Sequence, residues 1–72
     1  MLLYQMEGKV IRLKMKEDGL YDGVIQTSNG NNYYFFNLSN KNLILNTNVS
    51  FDMSKTERTD IDFEAINLNI LF

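Results

Sequence analysis

Four of the seven basic residues in this chain, Lys9, Arg12, Lys14 and Lys16, fall within eight consecutive positions. Cations at that density can track a phosphate backbone. A second cluster is aromatic: Tyr33, Tyr34, Phe35 and Phe36 stand in a row, with Tyr21 upstream. Flat rings accept nucleobases by stacking, at about 1–3 kcal/mol per base. A guanidinium plane can do the same while also pairing with phosphate. Other chemistry is thinly provided. The chain has no Cys and no His, which removes thiolates, most transition-metal sites and the usual general base. Asp60, Asp62 and Glu64 alternate as in a calcium loop but lack its glycine and its length, so they read as a solvated strand face. Nothing resembles a nucleophile with its base or a phosphate-cradling glycine loop. We therefore expect no enzyme, no cofactor and no metal.

The elements that must hold these residues are strands. From Ile11 to Lys16 apolar and basic residues alternate, so period two predicts Ile11, Leu13 and Met15 on one face and Arg12, Lys14 and Lys16 on the other. Glu17-Asp18-Gly19 is a turn signal, and Tyr21 to Thr27 reads as a second strand. Asn29-Gly30 between two β-prone runs is a hairpin signal. Tyr33 to Leu38 is the third strand. There, alternation predicts Tyr33, Phe35 and Asn37 on an exposed face, with Tyr34 and Phe36 inward. Ser39 to Asn48 reads as a connection carrying one helical turn around Leu43-Ile44-Leu45. Asn48 to Ser54 alternates again, with Val49, Phe51 and Met53 inward. Near Ala65 the apolar phase switches from Ile61, Phe63 and Ala65 to Ile66, Leu68 and Ile70, which predicts a bulge or strand boundary. Five short strands in 72 residues need closure to hide their edges. An OB or an SH3-like barrel would satisfy that.

Three segments in order decide between the two. Gly8-Lys9-Val10 opens the first. Gly23-Val24-Ile25, Asn29-Gly30 and Tyr33-Tyr34-Phe35-Phe36-Asn37-Leu38-Ser39 form the second. Val49-Ser50-Phe51 and Ala65-Ile66-Asn67-Leu68 form the third. Together they resemble the cold-shock domain family over roughly residues 6 to 71. The resemblance implies an all-β, five-stranded antiparallel OB-fold barrel that binds single-stranded RNA or DNA. The family's exposed Trp falls on Arg12. Its first RNA-binding motif, Lys-Gly-Phe-Gly-Phe-Ile, is matched by Gly23 and Ile25, with Val24 at the second Phe and Tyr21 standing in for the first. Its second motif, Asp-Val-Phe-Val-His-Phe-Ser, lands with its stacking Phe on Phe35, its His on Asn37 and its last Phe on Leu38. The expected interface is then Phe35, Arg12, Tyr33, Asn37, Lys14, Tyr21, Val24, Leu38 and Lys16. If about three of the family's rings are missing, roughly 3–9 kcal/mol of stacking goes with them. A nanomolar site would become micromolar or weaker.

Length bounds the chain to one domain, residues 1–72. No apolar run reaches a membrane span, and Met1 to Gln5 lacks the basic start of a signal peptide. The expected location is the cytoplasm, with no membrane partner. Net charge is −2 and the pI about 4.8, which weighs against a broad phosphate-binding surface. The alternative expectation is a barrel that has lost its nucleic-acid surface and serves as a protein-interaction module or homodimer.

Overall fold

Two glycines with positive φ mark where the chain reverses. In the computed structural model, Gly19 (φ 82°) and Gly30 (φ 88°) each end a three-residue hairpin loop. In the first, the Lys16 N–H donates to the Leu20 carbonyl at 2.8 Å and the Gly19 N–H to Lys16 at 3.0 Å. In the second, Thr27 donates to Asn31 and Gly30 donates to Thr27, both at 2.9 Å. A turn followed by a left-handed residue is the usual geometry of such loops, and glycine takes it without steric cost. The structure describes residues 5–39, 42–55 and 63–71.

Five strands result among the described residues: β1 (Gln5–Met15), β2 (Tyr21–Gln26), β3 (Asn32–Leu38), β4 (Asn48–Lys55) and β5 (Phe63–Ile70). They close in the order β1-β2-β3-β5-β4, the arrangement of an OB-like barrel. The barrel is not wholly antiparallel. β3 and β5 run parallel where Tyr34 pairs with Glu64, and the other four pairings are antiparallel. In the β3–β4 connection, residues 42–47 form turns and not the expected helical turn. Its Leu43 nevertheless plugs the core. No helix among the described residues is long and apolar enough to cross a membrane.

The core is Val10, Ile25, Tyr33, Phe35, Leu43, Val49, Phe51 and Ala65. Tyr33 packs between Phe51 and Phe63, with ring centroids 5.2 and 6.2 Å apart. Three irregularities set which side chains reach it. In β1, Val10 pairs with Ile25 and Arg12 with Val24. Ile11 is thus the extra residue and lies exposed, against the expectation that it faces inward. In β5 the phase switch falls at Asn67 (φ 54°), whose Nδ2 donates to Asp52 Oδ2 at 2.9 Å. Leu68 and Ile70 then turn onto the core. The third irregularity, in β3, decides which of its aromatic side chains reach the core. Toward the strand ends inward parity gives no burial: Met15 ends β1, Met53 stands two residues before the end of β4, and both are exposed.

Candidate functional site

β3 carries two residues, Phe36 and Asn37, against the single Asp22 of β2, since Gly23 pairs with Phe35 and Tyr21 with Leu38. Asn37 absorbs the extra length in a left-handed conformation (φ 55°), which Asn tolerates better than other residues with a β-carbon. Its N–H donates to Asp22 Oδ1 at 3.0 Å, its Oδ1 accepts from Lys16 Nζ, and Lys16 lies 3.4 Å from Asp22. This three-residue latch fixes the bulge. One inserted residue flips every side chain on one side of it to the other face.

The expected parity of β3 is therefore reversed. Phe35 is 1 % exposed and Tyr33 5 %, and both belong to the core. Neither presents a ring to solvent. Phe35 fits inside because Gly23 stands opposite: a β-carbon there would lie 2.3 Å from Phe35 Cζ and 2.4 Å from the Arg12 carbonyl oxygen. Tyr21 and Leu38, both expected in the interface, are half-buried, pair with each other and pack against the core at the barrel's end. Asn37 and Lys16 are exposed or half-exposed, but each already holds the other, and Lys16 also holds Asp22.

In their place the outer face of β1, β2 and β3 gathers Tyr34 and Phe36, both half-buried. Register builds this face in rows. Arg12, Val24, Tyr34 and Glu64 lie side by side across four strands. Lys14 and Asp22 form a second row beside Phe36. Lys9, Gln26 and Asn32 form a third. Val24 is 7 % exposed yet stands outside the core cluster, as its outward row requires. Of the expected residues, then, the fold brings together Arg12, Lys14 and Val24 on one surface. Arg12, Lys14 and Lys9 are exposed and make no ion pair among the described residues. Glu64, half-buried at the end of Tyr34's row, limits how electropositive the surface is. Sequence reasoning missed Tyr34 and Phe36. The glycine opposite Phe35 was the available signal, because a strand glycine marks a close approach by a neighbouring group.

No group of three or more His, Cys, Asp or Glu residues among those described could hold a metal ion. Asp60 and Asp62 lie outside the described residues. The fold defines a small, closed, all-β barrel of OB-like strand order. No protein family, curated protein or solved structure matches the chain.

Proposed function

We propose that the outer face of β1, β2 and β3 binds single-stranded RNA or DNA without catalysis. The observation that carries this is the juxtaposition of two outward rings, Tyr34 and Phe36, with the cations Arg12 and Lys14, which make no ion pair among the described residues. Rings to stack on and cations to follow the phosphates are the two requirements of single-strand binding. The resemblance to the cold-shock domain supports the same reading. With one residue absorbed at Asn37, the second motif begins at Asn32. Its two Val positions then fall on the buried Tyr33 and Phe35, its stacking Phe on Tyr34, and its His on Phe36. The role would be that of the family, handling transcripts in the cytoplasm.

Magnitudes set the expected strength. Two stacked bases contribute about 2–6 kcal/mol, short of the ~8 kcal/mol of a micromolar complex. Phosphate contacts from Arg12, Lys14 and Lys9 must supply the remainder, so binding is weak and salt-sensitive. The test is fluorescence anisotropy of a labelled mixed-sequence strand, as DNA and as RNA, at two salt concentrations. Saturable binding that Tyr34→Ala and Arg12→Ala both weaken is the expected result. No binding at the highest soluble protein concentration in low salt would remove the proposal.

A second reading, a protein-interaction or homodimeric module, draws on exposed apolar side chains at Ile11, Ile44 and Leu45. Size-exclusion chromatography with light scattering would reveal a dimer directly.

A further inference from the structure

Beside Tyr34 and Phe36 runs a polar row. Asn32, Gln26, Lys9 and Asn48 lie side by side across β3, β2, β1 and β4. Glu7, the preceding outward residue of β1, pairs with Ser50 of β4. Around them opens a groove of about 830 Å³ lined by Glu7, Lys9, Gln26, Ser28 and Asn48, among others. That volume lies within the roughly 300–1,000 Å³ typical of small-ligand sites. Gln26 Nε2 donates to Asn32 Oδ1 at 3.1 Å, which leaves the Gln26 carbonyl oxygen available as an acceptor. The side chains of Glu7, Lys9 and Asn48 have no hydrogen bond or ion pair among the described residues.

The groove is continuous with the stacking face. On β2 the row of Tyr34 and the row of Lys9 stand two residues apart, at Val24 and Gln26, and on β3 likewise at Tyr34 and Asn32. Two residues of strand span about 7 Å. Lys9 and Glu7 also stand two strands across from Tyr34, about 10 Å in that direction, so a single strand with one base on Tyr34 carries a base one or two nucleotides further along toward them.

We infer that this groove is a base-reading subsite selective for guanine, an inference that rests on the outer-face reading. A carboxylate can only accept hydrogen bonds. Guanine alone presents two adjacent donors, N1–H and the N2 amine, on its Watson–Crick edge, and these match the two oxygens of Glu7. Its neighbouring O6 accepts, and the Lys9 ammonium, two residues along the same side of β1, is the complementary donor. Uracil and thymine offer one donor between two carbonyl oxygens, which a carboxylate repels. Adenine and cytosine offer one amine beside a bare ring nitrogen. Edge recognition of this kind is how unstacked bases are distinguished.

The test uses labelled RNA heptamers: all uridine, the same strand with one central guanosine, and the same strand with inosine there. The guanosine strand should bind about tenfold more tightly than the uridine strand. Inosine, which lacks the N2 amine, should lose most of that gain without any change to the protein. Glu7→Gln, at an exposed position, should bring the guanosine-to-uridine ratio to about one, with circular dichroism confirming the fold. Equal binding of guanosine and uridine strands by the wild-type protein would overturn the guanine subsite and leave the outer-face reading standing. A preference that survives in Glu7→Gln would do the same. Binding of neither strand would overturn both.

Discussion

Tyr34 and Phe35 are adjacent in the chain and meet opposite environments. Phe35 fills the barrel against Gly23, and Tyr34 lies across the outer face beside Val24. Truncating them should separate stability from binding. Phe35→Ala leaves a cavity and should cost about 3–5 kcal/mol. That is a large share of the ~4–11 kcal/mol expected for a domain of this size. Urea denaturation followed by circular dichroism measures it. Tyr34→Ala should cost less than half as much stability and weaken single-strand affinity roughly 5- to 150-fold, the range for one stacked base. Should Phe35→Ala fold normally and lose only binding, the parity assigned to β3 is wrong. Parity was the one feature that the run Tyr33 to Phe36 could not disclose. All four side chains are aromatic, so no polar residue marks the solvent side and period two has two equivalent phases. By contrast, the mixed run Arg12, Leu13, Lys14 announces its phase, and those three residues face as alternation requires.

At the scale of the element, the bulge in β3 is what turns Tyr34 outward, and the Lys16–Asp22–Asn37 latch holds it. Asn37→Ala removes the acceptor for Lys16 and puts a poorly tolerated residue at positive φ. It should destabilise by about 1–2 kcal/mol. Asn37→Gly loses the same contact but suits the backbone, so it should be the milder change. Thermal melts of the two variants give the order directly, and the reverse order would mean that the left-handed conformation is not the stabilising feature. The neighbouring strand supplies a second check. Gly23→Ala forces a β-carbon against the Phe35 ring and the Arg12 carbonyl, and overpacking of this kind costs about 1–3 kcal/mol. Because the ring fits only over a glycine, a smaller partner should compensate. Phe35→Leu should be less harmful in the Gly23→Ala background than in the wild type, as a double-mutant cycle would record.

For the whole molecule, charge distribution matters more than the net value of −2. Lys9, Arg12 and Lys14 share the outer face, while Glu7, Asp22 and Glu64 stand among or beside them. Three phosphate contacts to a single strand predict a slope of about −2 in a plot of log affinity against log salt concentration. Removing one of them in Arg12→Ala should flatten the slope to about −1.4, by the same relation. A salt-independent affinity would indicate that the surface recognises something other than a polyanion, and attention would pass to Ile11, Ile44 and Leu45 as a protein contact.

The chain itself declares its strands, its two glycine-marked hairpin turns and its need for closure. Alternation, the glycines at 19 and 30, and the apolar residues of β1, β2 and β4 are local signals, and local sterics answer to them. It also made Arg12, Lys14 and Val24 legible as neighbours on one face. Which rings of β3 face solvent, the parallel meeting of β3 and β5, and the gathering of Lys9, Gln26 and Asn48 at a groove emerge with the folded barrel. Each of these depends on register between strands distant in the chain. Register follows from where single residues bulge, and a bulge such as that at Asn37 is fixed by partners fifteen and twenty-one positions away, Asp22 and Lys16.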